Sequence, residues 1–480
     1  MIKSLLLLFL PLAAWAGDYP ASMFGIRSDG VTMNTRSIQY AVDFIHERGG
    51  GNLVFDVGRF LTGSIHLRSD VGLELKEGAV LVGSLNPFDY DKAGYTALLL
   101  ADSQRNISIT GKGIIDGQGR SVAANIVGLA HGGVIRDPLR NDRPNEANRP
   151  MLIYFRRCRD VVVRGITLAN AASWVETYDQ CVGLWIDSIR VDSKAYWNND
   201  GMDIVDCNQV RITRCFVDAA DDGICLKSHD PSAACTDVLI RECTIRSSAN
   251  AIKFGTVSRG GFRQIRIVQN RVYDTYRSAL ALEAVDGADI RNVVVDSLTA
   301  VNTGNALFMR IGARSGSRQS SIADISIRHF FVRIAAGKAD SGYPYEGPIE
   351  DQPRNISPIV LTGLPGAFLR DIRMEDVTVH YPGGGNPFIA RRGPAGMDSV
   401  PELPANYPEF SMFRELPAWG LYVRHARGMQ IKNLRLYAAA KDYRAAIVLD
   451  DVGGDDWSGT VVREAGKKRG FTHSSARSRK

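Results

Sequence analysis

Apolar residues in this chain recur in short alternating runs, not at helical spacing. "CRDVVV" begins at Cys158, "CVGLWI" at Cys181, "CNQVRI" at Cys207 and "CTDVLI" at Cys235, in steps of 23, 26 and 28 residues. The same apolar-x-x-apolar-x-apolar pattern returns without cysteine at Phe262, Ile290, Ile322 and Leu369. Each run is rich in Val and Ile and is bounded by Gly, Asn or Asp, which is a strand signal. A unit of this length cannot bury a core alone, whereas stacked units can. The pattern therefore predicts an all-β, right-handed parallel β-helix, with equivalent positions on adjacent coils about 4.8 Å apart. A propeller would need longer repeats, of about 40 residues or more.

The ends depart from the pattern. "NTRSIQYAVDFIHERGGG" reads as an amphipathic helix with Thr35 as N-cap and Gly49 to Gly51 as its stop, suited to capping the open end of the coils. Residues 17–95 are thus a cap with the first coils, and 96–455 the β-helix. An insertion at 380–425, rich in Pro, Gly and aromatics, interrupts the coils, and long loops on such scaffolds often form binding walls. Residues 456–480 read as a basic, disordered tail.

Composition changes this picture in three places. Residues 1–16 carry Lys3, an apolar run from Leu5 to Leu12 and Ala14-Trp15-Ala16, the pattern of a cleavable export signal too short to span a bilayer. A secreted or periplasmic location is expected, with no membrane span. The net charge of +6 resides in Lys3 and the basic tail, leaving a near-neutral body and no electrostatic case for nucleic acid. All seven cysteines lie between Cys158 and Cys243, four of them at one repeat position, which favours stacked small core residues over a metal cluster. Adjacent coils are close enough for a disulfide. The odd number leaves at least one thiol free or paired between chains.

The candidate chemistry lies in two matching turns, "WNNDGMDIV" from Trp197 and "AADDGICLK" from Ala219. Superposed on "DG", they place Asp200 against Asp222, with Asp221 beside it. A lone Asp-Gly is an ordinary turn. Two in register, plus Asp221, crowd three carboxyl groups, so at least one should keep its proton near neutral pH. A carboxylic acid beside carboxylates is the pairing that glycosidic hydrolysis requires.

At "NNDGMDI" and "DAADDGICLKS" the chain resembles glycoside hydrolase family 28, the polygalacturonase family, over most of its length from "GGGNLVFDVGRF" onward. The resemblance implies that Asp200 and Asp222 position and activate water, that Asp221 is the general acid, and that no metal or other cofactor is needed. It also implies inversion, although carboxylates about 5 Å apart usually mark a retaining enzyme. The chain departs from the family twice. Ala249 in "SSANAIKFGT" stands where a Gly-His-Gly motif has its His, and "SALALEAVDG" puts Ala281 and Glu283 at the charged positions of Arg-Ile-Lys. A Glu there would repel a galacturonate carboxylate.

Strand alternation points Ile252, Phe254, Leu280 and Leu282 inward and Lys253, Ala281 and Glu283 outward. Lys227 and Arg310 fall in the column of Glu283, so Lys227, Lys253, Glu283 and Arg310 are expected to form a polar floor beside the Asp trio. Asn199, Asn250 and His229 complete the candidate substrate contacts. Trp174, Tyr407 and Trp419 are candidates for stacking on sugar rings, with core packing as the default. His425 is read as structural. The expectation is a monomeric, exported glycosidase acting on pectic or related polysaccharides or their oligosaccharides. Two alternatives stay open: a β-helix lyase using Lys253 as base, of a kind that usually needs Ca²⁺, and a non-catalytic carbohydrate-binding β-helix.

Overall fold

The computed structural model describes residues 17–140, 142–315, 318–340, 357–385 and 400–469. Residues 1–16, for which an export signal is expected, lie outside the described residues. Strand pairing is parallel from coil to coil almost throughout. Met202–Val205 pairs with Ile224–Ser228, which pairs with Ile252–Ser258, then with Arg271–Ala284 and Asp289–Ile311. Along this sheet Ile153, Glu176, Met202, Ile224, Ile252, Leu280 and Leu307 form one continuous inward row. A second inward row runs Phe155, Tyr178, Ile204, Leu226, Phe254, Leu282 and Met309. These rows are the expected period of two, and burying the inward face of each strand gives the solenoid its core.

The cysteine positions stack as the repeat predicts. Cys207 precedes the pair Asn208–Thr236 and so faces Cys235, which pairs with Phe262, then Ile290, then Ile322. All seven thiols are buried and free, and the Cys181 amide donates to the Cys207 Sγ at 3.3 Å.

Helix α1, Thr35–Glu47, buries Ile38, Ala41, Val42 and Ile45 against the first coil. Its N-cap is Asn34, not Thr35. The Asn34 amide is taken by the Arg27 backbone, and the Thr35 hydroxyl instead accepts the Gly63 N–H at 2.7 Å. A second helix, α2, Gly119–His131, was not expected; it is anchored by only Val122, Ala123 and Ile126, too small a periodic signal to stand out among strands. The tail reading also needs correction. Asp456–Ser458, Val461–Glu464 and Lys467–Arg469 are strands, the first two continuing the coils and the third folding back antiparallel. Only 470–480 lies outside the described residues. The basic side chains of 467–468 are exposed, so charge patterning concealed an edge strand.

The insertion does not hang free. Within it, 400–417 carries Val400, Phe410, Phe413 and Leu416 onto the outward residues Ala281, Phe308, Val360 and Tyr422, forming a satellite apolar cluster. The outward face of the sheet is thereby walled on its C-terminal side, next to the matching turns.

Candidate active site

Each Asp-Gly turn ends one strand and starts the next. The Gly201 N–H donates to the Asp222 carbonyl and the Gly223 N–H to the Asn250 carbonyl, both at 2.8 Å. Asp200, Asp222 and Asn250 thus occupy one column on three successive coils. Glycine is required for that stacking. A Cβ on Gly201 would meet the Gly223 carbonyl oxygen at 2.5 Å, and one on Gly223 the Ala251 carbonyl oxygen at 2.6 Å. The repeated Asp-Gly is therefore a packing requirement that also lines up acidic side chains.

The three aspartates have different surroundings. Asp222 accepts two hydrogen bonds from Asn250 at Oδ1, from N at 3.0 Å and Nδ2 at 2.9 Å, and one from Lys253 Nζ at Oδ2, 2.9 Å. Burial opposes its charge, but Lys253, Arg277, Lys227 and Asn250 overcome that and hold its carboxyl below the usual range. Asp200 accepts from Lys227 Nζ at 2.8 Å. Burial and the neighbouring Asp222 push it up against the pull of Lys227. The Asp221 carboxyl accepts only the Asp222 N–H, at 3.0 Å, among the described residues. Burial first, then the charges of Asp200 and Asp222, push its carboxyl up to about 8.

Lys227 and Lys253 are buried beneath these carboxylates. Lys227 binds Asp200 and Asp203 and stands 4.0 Å from the centre of the Trp174 ring. Lys253 binds Asp222 and the Tyr407 hydroxyl, the latter at 3.0 Å, with Glu283 at 3.8 Å. Glu283 is 1% exposed, and burial pushes its carboxyl up to about 8 against Lys253. Lys227, Lys253 and Glu283 do form a floor, but one that orients the aspartates from below. Asp200, Asp203 and Cys225 bring three ligand-type atoms within 4.8 Å of one another. The Lys227 ammonium is hydrogen-bonded to both of those carboxylates, so a built-in cation already serves them.

Two expected substrate contacts are corrected. Asn199 is fully buried: its amide donates to the Ala171 and Ser173 carbonyls, and its oxygen accepts from Ser193 Oγ, Ala195 N and Tyr196 N. It shapes the turn that presents Asp200. Asn199→Ala should therefore lower thermal stability by about 2–3 kcal/mol, since several buried groups lose partners, while the KM of the enzyme that remains folded stays unchanged. Arg310 pairs with Glu283 in register, as expected, but its guanidinium turns to the Gly363, Glu402 and Leu403 carbonyls and lies 5.2 Å from the Phe413 ring centre. It pins the insertion. His229 lies beside Asp206, to which its backbone N–H donates, and burial with Lys227 and Arg259 lowers its ring to about 4. Trp419 is core, packed on Tyr381, and His425 bridges Asp451 and Glu402.

Asp203, Arg277 and Glu409 were missed by the sequence reading. Asp203 pairs with Cys225, and so with Lys253, on the outward row, which alternation from Ile204 would have shown. Arg277 sits in an irregular stretch between Thr275 and Ser278 where strand register shifts, so alternation cannot place it. Its Nε lies 2.8 Å from Glu409 of the insertion, a contact 132 positions apart that no local pattern encodes.

A stack of parallel coils presenting buried aspartates of unequal proton affinity offers the pairing of acid and carboxylate that a glycosidase of the β-helix type would use. The model for Glycosyl hydrolases family 28 matches residues 55–240, which include both turns. A protein named "Probable polygalacturonase" from Vitis vinifera is 25% identical over 396 residues, 74% of this chain and 73% of its own length. An "Exo-poly-alpha-D-galacturonosidase" from Dickeya chrysanthemi is 38% identical over 116 residues, 20% of this chain and 19% of that protein. The family 28 exopolygalacturonase structure from Yersinia enterocolitica superposes with a TM-score of 0.66 at 17% identity, covering 92% of this chain and 78% of that one. The family model and the curated relatives point to a glycosidase of the glycoside hydrolase family 28 type.

Proposed function

We propose that this chain hydrolyses glycosidic bonds in pectic polysaccharides or their oligosaccharides by inverting acid/base catalysis on Asp221, Asp222 and Asp200. The observation that carries the assignment is the asymmetry between adjacent residues. Asp222 is held ionised by three donors, while Asp221 has no cation bonded to it among the described residues and keeps its proton. In the proposed step Asp221 gives its proton to the glycosidic oxygen as the bond to the anomeric carbon breaks, its electron pair passing to that oxygen. Water, losing a proton to Asp222 and oriented by Asp200, supplies the new bond. Asp221 ends ionised and Asp222 protonated, and exchange with solvent resets both. Substrate class is supported by the names of the relatives. Export by the 1–16 leader and action as a monomer belong to the same proposal, the first supported by the leader pattern.

The lyase alternative is disfavoured by Lys253. Although buried, its ammonium is held charged by Asp222, Tyr407 and Glu283, and a charged ammonium is no base. The test is reducing-end release from polygalacturonate, rhamnogalacturonan backbone, xylogalacturonan and their oligomers, with ultraviolet absorbance followed for unsaturated products. Release without that absorbance supports hydrolysis; unsaturated products would sink it. Proton NMR of the first product should show the inverted anomer.

A pH profile checks the acid directly. A catalytic acid must be protonated, so kcat/KM should fall as pH rises through about 8, the Asp221 value. A basic limb in the ordinary carboxylate range would remove Asp221 from the role.

A further inference from the structure

We propose that Glu409 sets the charge specificity of the subsite on the C-terminal side of the aspartates, by occupying Arg277 so that the subsite takes an uncharged sugar unit, such as a neutral hexose or a methyl-esterified uronate. The inference rests on the hydrolase reading above and adds the substrate class for one subsite.

Arg277 begins the coil that follows Asn250; its N–H donates to the Ala249 carbonyl at 2.7 Å. Its positive charge is felt by both Asp221 and Asp222. A guanidinium in that place is the group best shaped to hold a substrate carboxylate. Here Glu409 takes it, at 2.8 Å, with both side chains only about one-seventh exposed (16% and 14%). Glu409 is delivered on purpose-built backbone. It precedes the short helix Phe410–Phe413 yet does not cap it with its side chain, and Phe410 and Phe413 seat that helix on Ala281 and Phe308. Arg310 binds the Glu402 and Leu403 carbonyls, and the Ala313 N–H donates to Pro404 at 2.7 Å. The insertion therefore holds a carboxylate of the protein where a carboxylate of the substrate would bind.

The other cations beside the aspartates are committed in the same way, Lys227 to Asp200 and Asp203, and Lys253 to Asp222 and Glu283. What the insertion leaves open is the Tyr407 ring, 49% exposed, with its hydroxyl fixed on Lys253. An aromatic face recognises the apolar side of a sugar ring and is indifferent to a carboxylate. An arriving carboxylate meets an Arg277 whose charge is already paired and the charge of Glu409 itself, while an ester or a hydroxymethyl group meets neither penalty.

The experiment compares oligogalacturonides from one preparation, fully methyl-esterified and de-esterified, so that only carboxylate charge differs. Wild type should favour the ester in kcat/KM by at least about tenfold. Glu409→Gln should erase at least about tenfold of that preference, through a lower KM for the acid substrate, because Arg277 is released. Glu409→Asp, which keeps the charge, should retain the preference. Wild-type preference for the free acid, or an unchanged ratio in a folded Glu409→Gln protein, overturns the proposal. No hydrolysis of either form by a wild type that cleaves another member of the pectic panel overturns this proposal, whereas silence on the whole panel overturns the hydrolase reading beneath it; the Asp221→Asn control separates true turnover from contamination.

Discussion

Asp221→Asn should lower kcat by about 10²–10⁴-fold, the usual contribution of a positioned general acid, and at the same time make the protein more resistant to heat at pH 7. The first effect follows because Asn cannot supply a proton to the leaving oxygen. The second follows from linkage. In the folded protein Asp221 holds its proton up to about 8, against an ordinary value of 3.8. Between those values the native state binds more protons than the unfolded chain, so this group's contribution is complete below 3.8 and is lost as pH rises through about 8. Asn mimics the neutral acid and has no such dependence. Melting temperature measured from pH 4 to 9 should therefore fall less steeply in the variant than in wild type. A variant with unaltered kcat, or with a steeper pH dependence, would contradict the assignment of the proton to Asp221. Melting distinguishes a protonated Asp221 from an ionised, hydrogen-bonded one, whose replacement destabilises, and kcat reports its catalytic role.

Lys253→Met should be the most damaging single change in the site. Lys253 is 1% exposed and is the ammonium between Asp222 and Glu283. Removing one partner of a buried ion pair leaves the other charge uncompensated, at a cost of about 3–5 kcal/mol. Asp222 would then gain a proton, or fold poorly, and either outcome removes the base. Stability is expected to fall by that amount in chemical denaturation, with activity lost in the fraction that folds. The double change Lys253→Met with Glu283→Gln should recover part of the stability, because one of the stranded carboxyl groups is gone, but none of the activity, because Asp222 still lacks its cation. Recovery of both would mean that Lys253 serves only to neutralise Glu283.

The predictions rest on features of very different legibility. The coil pattern was readable because apolar alternation is local: the runs from Cys158 to Leu369 each carry their own strand signal, and their spacing implied the stacking. The Asp column was readable for the same reason, since "NNDGMDI" and "ADDGICLK" repeat one local motif on neighbouring coils. Asn199 was misjudged because an Asn beside a catalytic-looking Asp reads alike whether it faces a cleft or ties a turn. Only the carbonyls of Ala171 and Ser173 reveal which. Arg310 was misjudged because register fixes a side chain's column, not the direction in which a long guanidinium reaches.

The sequence by itself determined the β-helix, the inward rows, the three aspartates and the outward placement of Lys253, because each depends on short-range alternation repeated from coil to coil. It also showed that Ala281 and Glu283 stand where charged partners were expected. Tertiary structure decided what replaced them. Ala281 is a seat for Phe410 and Phe413, Glu283 lies beneath Lys253, and the face they vacated is filled by Tyr407 and Glu409. Apart from Glu283 and Lys253, which stand on neighbouring coils, those contacts join residues more than a hundred positions apart through an irregular insertion. Side-chain packing and charge pairing across that distance leave no periodic trace in the chain.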